Sequence, residues 1–118
     1  MQPTRAERVA EMMQRELGMM IQTELKDPRI GFASITRVEV SRDLSAAKVF
    51  VSVLGPDESA HETMAGLTHA GGFLRGEVGR RLKLRHAPEL DFRLDQSIEK
   101  SMALQRLMHH LHDEEHRE

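Results

Sequence analysis

The 118 residues contain no cysteine, no tryptophan and no tyrosine. Without thiols the chain can form neither a disulfide nor a thiolate metal site, and its composition leaves the redox compartment open. The only aromatics are Phe32, Phe50, Phe73 and Phe92, widely scattered. That scatter argues against a module that stacks several bases on an aromatic platform. No apolar run approaches the ~18 residues of a membrane-spanning helix. The opening Met-Gln-Pro-Thr-Arg-Ala-Glu-Arg lacks the apolar stretch of a signal peptide, so a soluble, cytoplasmic protein is expected. No Walker loop, dinucleotide fingerprint or nucleophile elbow is present, and no convergent nucleophile, base and oxyanion donor can be named.

Length and charge bound the rest. A chain of this size supports one small two-layer domain. Its formal charge of −2 hides an uneven distribution. From Ala70 to Pro88 five cations (Arg75, Arg80, Arg81, Lys83 and Arg85) face one acid, Glu77, whereas from Glu89 onward four cations face eight acids. A locally basic patch on a nearly neutral protein can bind a polyanion while the acids elsewhere limit indiscriminate contact.

Periodicity gives the order of elements. Val9, Met13, Leu17, Met20 and Ile21 recur at helical spacing and predict a helix from about Thr4 to Leu25, stopped by Asp27-Pro28. Two β-rich stretches follow, Ala33 to Ser41 and Ala46 to Leu54, joined by the turn Ser41 to Ser45 into a hairpin. In the second, Ala47, Val49, Val51 and Val53 share one face, opposite Lys48, Phe50 and Ser52. Gly55-Pro56-Asp57 breaks the strand, and Asp57 or Ser59 is expected to cap a helix from about His61 to His69. A sharp bend at Ala70-Gly71-Gly72 starts another helix. Leu90, Phe92 and Leu94, alternating with Asp91, Arg93 and Asp95, predict a third strand, and Ser97 is read as the cap of a final helix through Leu111. Three strands and helices of these lengths predict an α+β domain with helices covering one face of a small sheet.

The segment after the bend is the most informative. Each glycine inside a helix costs roughly 1 kcal/mol relative to alanine. Gly72, Gly76 and Gly79 fall within one narrow helical sector with Lys83 on the same side, while Leu74, Val78 and Leu82 form a separate apolar stripe. Two explanations stay open. Bare backbone can admit a phosphodiester while Arg75, Arg80, Arg81, Lys83 and Arg85 supply charge. Alternatively, the glycines allow tight packing and the cations are merely solvated.

Other polar groups are less specific. Arg5, Arg8 and Arg15 lie together away from the apolar stripe of the first helix and can extend a basic surface, although Glu11 is placed to pair locally. Arg37, Arg42 and Lys48 read as ordinary surface residues. His109, His112 and His116 have helical spacing but no fixed carboxylate partner, so no specific metal site or cofactor is expected. Asp91 and Asp95 stand about 13 Å apart on one strand side, too far for acid-base work on one bond, and read as a solvated face. Met12, Met13, Met19, Met20, Met64, Met102 and Met108 supply an adaptable core or an interface.

The element order resembles a type II KH domain preceded by an extra helix and strand. The Gly-x-x-Gly loop of ordinary KH domains is missing. Ala70-Gly71-Gly72 is instead similar to the Ala-x-Gly helix-kink-helix of the ribosome-binding factor A family. Arg8-Val9, Leu25-Lys26-Asp27-Pro28-Arg29-Ile30, Val38-Glu39-Val40-Ser41, Asp43-Leu44, Ala47-Lys48-Val49, Gly72-Phe73-Leu74-Arg75 and Pro88-Glu89-Leu90-Asp91-Phe92 agree in order over Arg5 to Leu111. The resemblance implies one KH-like domain over residues 1–112 with a short charged tail over 113–118. It also implies a monomeric, non-enzymatic assembly factor that binds free or immature 30S particles and 16S rRNA. Members of the family assist late processing of the rRNA precursor and are linked to growth in the cold. The expected RNA-binding residues are Arg5, Arg8, Gly72, Arg75, Arg80, Arg81, Lys83 and Arg85, with Ala70, Gly71 and Gly72 forming the kink. The alternative from the residues alone is a protein-interaction adaptor that uses the methionine-rich helices and touches no nucleic acid.

Overall fold

In the computed structural model, residues 2–95 and 106–107 are described. The element order is α1 (Arg5–Thr23), β1 (Ala33–Val40), β2 (Ala46–Val53), α2 (Asp57–His69), α3 (Gly71–Arg81) and β3 (Glu89–Leu94). Of the expected final helix only Arg106 and Leu107 are described, and they are helical; its Ser97 cap, the boundary at 112, the tail, Met102, Met108, His109, His112 and His116 lie outside the described residues.

α1 opens on a capping box. Thr4 Oγ1 accepts from Glu7 N, and Glu7 Oε2 accepts from Thr4 N, so two backbone donors that the helix leaves unpaired are satisfied. Its buried face is Val9, Met13, Leu17, Met20 and Ile21, as the periodicity predicts. The helix ends at Thr23, two residues short of the expected Leu25, because Glu24 and Leu25 both donate to the carbonyl of Met20.

β1 and β2 pair antiparallel, with a bulge between Ile35 and Arg37, and β3 joins β2 in parallel to give the order β1-β2-β3. That parallel crossover is what α2 and α3 supply. Ala47, Val49, Val51 and Val53 are buried and meet Val9, Met13, Leu17, Leu67, Leu74 and Val78 in one core. The opposite sheet face is open, with the Arg37 guanidinium 4.1 Å from the Phe50 ring centroid. The hairpin turn is closed by its polar side chains. Ser41 Oγ accepts from Ser45 N and Ala46 N, while Asp43 Oδ1 accepts from Ser45 N and Oγ. These bonds hold the Asp43 carboxyl below its usual range.

Two expectations need correction. α2 begins at Asp57 rather than near His61, with Pro56 at the N-cap and no side-chain cap bond, so neither Asp57 nor Ser59 caps it. Asp57 and Glu58 sit inside the first turn and favour the helix through its dipole. Asp95 is not on a solvated face, since its Oδ2 accepts from Thr36 Oγ1 at 2.6 Å across β2.

Candidate nucleic-acid interface

A single residue makes the bend. The Ala70 N–H donates to the Gly66 carbonyl, ending α2, and the Ala70 carbonyl accepts from Leu74 N, starting α3. α3 then presents three different faces. Leu74 and Val78 are fully buried in the core. A second face clasps the segment leading into β3. There Gly79 approaches Ala87 so closely that an added Cβ would lie 3.0 Å from the Ala87 Cβ, and Arg75 Nε and Nη2 donate to the Ala87 carbonyl at 3.2 and 3.0 Å. The third face is open, and a Cβ at Gly72 or Gly76 would meet nothing within 4 Å. Phe73, 50% exposed, borders it.

The three glycines of one helical sector therefore divide. Gly79 obeys the packing explanation, whereas Gly72 and Gly76 are exposed and, among the described residues, have room for a side chain.

The cations divide in the same way. Arg81 is surrounded by carboxylates, with Nη2 on Glu24 Oε1 at 2.5 Å, Nη1 on Glu16 Oε2 at 3.3 Å and Nε on Glu77 Oε2 at 3.3 Å. The hydrogen bond that Arg81 donates to Glu24 is the main reason its pKa rises. The cluster ties the end of α3 to α1 and offsets Glu24, an acid at the C-cap of α1 where the dipole disfavours negative charge. Arg80 also pairs with Glu77 but remains exposed. Lys83 and Arg85 are exposed and have no ion pair among the described residues.

α3 closes in a Schellman motif, with Lys83 N donating to the Arg80 carbonyl at 3.2 Å and Leu84 N to the Gly79 carbonyl at 2.9 Å. The residue after the cap is left-handed, and here it is Lys83 at φ 54° where glycine is usual. Lys83 shares this left-handed backbone with Leu44 of the hairpin turn, at φ 61°.

Of the eight residues expected at an RNA surface, Gly72, Arg80, Lys83 and Arg85 lie exposed on α3 and its exit. Arg75 serves a backbone carbonyl and Arg81 an ion-pair cluster. Arg5 and Arg8 stand with Arg15 on α1, in the sector opposite its buried stripe. Sequence reasoning missed Phe73 and the left-handed Lys83. Phe73 could have been found from its place beside the glycine sector, but no sequence signal marks a left-handed lysine. Among the described residues no helix is long and apolar enough to cross a membrane, and no cluster of three side chains could hold a metal ion.

Comparison with known proteins adds an independent line. The model of the family described as ribosome-binding factor A matches residues 5–108. Ribosome-binding factor A of Desulforamulus reducens is 49% identical over 111 residues, covering 94% of this chain and 92% of the relative. A solution structure of a Thermotoga maritima protein described as a ribosome-binding factor A is 37% identical with a TM-score of 0.65, covering 82% of this chain and 93% of that one. The Thermus thermophilus ribosome-binding factor A, as fitted into a cryo-EM map of its complex with the 30S subunit, is 28% identical with a TM-score of 0.65, covering 79% and 97%.

Proposed function

Since the chain belongs to the ribosome-binding factor A family, we propose that it binds the small ribosomal subunit through 16S rRNA, using the open face of α3 and the cations at its exit. The observation that carries this reading is the pairing of uncovered backbone at Gly72 and Gly76 with Lys83, held left-handed and free of any carboxylate among the described residues. A phosphodiester needs close approach and positive charge, and this surface offers both without asking for base stacking. Arg80 and Arg85 extend the charge, while Arg75, Gly79 and Arg81 hold the platform in place. The 30S complex of the Thermus thermophilus relative supports the choice of partner.

On this reading the protein is a cytoplasmic, monomeric assembly factor that catalyses nothing. Its kink does the work of the KH Gly-x-x-Gly loop within a single domain spanning residues 1–112. Binding energy spent on one rRNA conformation favours that conformation during late maturation of the precursor, and release follows when maturation makes it unfavourable. Growth in the cold, where misfolded rRNA is slow to escape, is where loss of the factor should matter most. Co-sedimentation with free small subunits, large subunits and intact ribosomes over a range of salt is the test. Salt-sensitive binding confined to the small subunit is expected, and absence of binding to every particle would overturn the proposal.

A further inference from the structure

Exposed large apolar side chains also stand outside α3, on α1 and at the ends of β1 and β2. Of the six among the described residues, Met12, Met19, Phe32 and Leu54 are 40%, 49%, 86% and 79% exposed. Met12 and Met19 lie on α1, seven residues apart. Arg5, Met12 and Met19 form one heptad series, and Arg8, Arg15 and Gln22, offset by three, form the other. Alternating offsets of three and four put all six on one side of the helix as a lengthwise seam of two thioethers among three arginines and a glutamine. This seam lies on the far side of α1 from the stripe that packs on the sheet. At its C-terminal end Gln22 lines a cleft with Phe32 and Leu54, whose backbones are joined by Leu54 N donating to the Phe32 carbonyl at 3.0 Å. The seam thus runs into an aromatic and aliphatic ledge.

Its charge selects the occupant. Arg5, Arg8 and Arg15 have no ion pair among the described residues; of the acids beside them Glu7 is engaged in the capping box and Glu16 on Arg81, and with Glu11 counted against the three arginines the seam still carries net positive charge. A second copy of the chain would set arginines against arginines. RNA would satisfy the arginines and leave two thioethers, a phenyl ring and an isobutyl group without apolar cover. An acidic amphipathic helix answers both needs, and flexible thioethers adapt readily to a helix surface.

We propose that the outward seam of α1, with the Phe32 and Leu54 ledge, docks an acidic amphipathic helix of a partner protein. Its carboxylates face Arg8 and Arg15, and its aliphatic side chains cover Met12 and Met19. This surface lies on α1, where the proposed rRNA-binding face lies on α3, and on this proposal Arg8 serves a protein partner and not the RNA that the family resemblance leads one to expect at Arg5 and Arg8.

The test places a photo-cross-linking residue in position 19, and separately in position 12, of the full chain expressed from its own chromosomal locus. Growing cells are irradiated, and adducts are treated with nuclease and mapped by peptide mass spectrometry. The expected product is a nuclease-resistant adduct to a segment with helical apolar spacing and flanking carboxylates. Its yield should fall by about tenfold or more when Arg8→Glu and Arg15→Glu are introduced together. Arg8→Gln with Arg15→Gln replaces that pair if charge reversal impairs folding. Adducts that nuclease removes, adducts of the chain with itself, adducts to a segment lacking that pattern or indifferent to the arginines, and the absence of any adduct each overturn the proposal. Sedimentation of the same lysates reads small-subunit binding separately, so failure of one proposal is not mistaken for failure of the other.

Discussion

The Asp27 to Gly31 turn and the outer face of α3 are built from the same two residue types, arginine and glycine, and use them oppositely. In the turn the arginine and the backbone N–H groups of Arg29, Ile30 and Gly31 all have internal partners. Arg29 Nη2 meets Asp27 Oδ2 at 2.6 Å, and Arg29 N donates to Asp27 Oδ1. Thr63, fully buried on α2, accepts from Gly31 N and donates to the Arg29 carbonyl. Gly66 is needed there because a Cβ would lie 2.8 Å from Ile30 Cγ1. On α3, a Cβ added at Gly72 or Gly76 would meet nothing within 4 Å, and Lys83 meets no carboxylate among the described residues. The turn is the most motif-like string in the sequence, yet it docks a loop on a helix. The face with unspent bonding capacity is the one that can bind something else.

The sharpest way to break this contrast is to add side chains at the two kinds of glycine. Gly66→Val should destabilise the fold by roughly 2–3 kcal/mol, read from the urea midpoint, because Ile30 has to move out of a packed site. If Gly66→Val is tolerated, the turn is not held as described. Thr63→Val comes next. It keeps the shape but leaves Gly31 N without its acceptor, at about 1–3 kcal/mol. Gly76→Ala should do the reverse, stabilising the protein by about 0.5–1 kcal/mol through helix propensity while weakening binding to small subunits. A stabilised variant with undiminished binding would remove Gly76 from the interface.

The smallest effect is a pH dependence. Its hydrogen bonds to Arg29, side chain first, bring the Asp27 carboxyl down from 3.8 to about 2. A depressed folded-state pKa contributes stability above the unfolded value and loses it as pH falls through the folded one. The urea midpoint should therefore decline between pH 4 and pH 2, over the window set by those two values. Asp27→Asn should remove that part of the decline. An unchanged profile would mean that the pair is not made in solution.

Much of this architecture was legible in the chain. The strict alternation of Ala47, Val49, Val51 and Val53 identified β2 and its buried face, and the stripe from Val9 to Ile21 identified α1. The bend could be placed at Ala70 because two glycines follow a helical pattern. What escaped is non-local. A helical wheel puts Gly72, Gly76 and Gly79 together, and only the return of Ala87 toward β3 separates the packed glycine from the bare ones. Arg75 and Arg81 look like Lys83 and Arg85 until Ala87 and the acids of α1 are brought beside them. The parallel pairing of β2 with β3 depends on a crossover that no local pattern encodes. The Thr4 to Glu7 capping box is local and legible as Thr-x-x-Glu.

The most direct test of the central claim is the salt dependence of binding to free small subunits, measured for the natural chain and for Lys83→Gln with Arg85→Gln. If these two cations sit on phosphates, the slope of log K against log salt should shrink in magnitude by about 1.5, near 0.7–0.9 for each phosphate no longer neutralised, while the urea midpoint stays close to that of the natural chain. An equal slope in both proteins would contradict the account and leave the open face of α3 without its assigned partner.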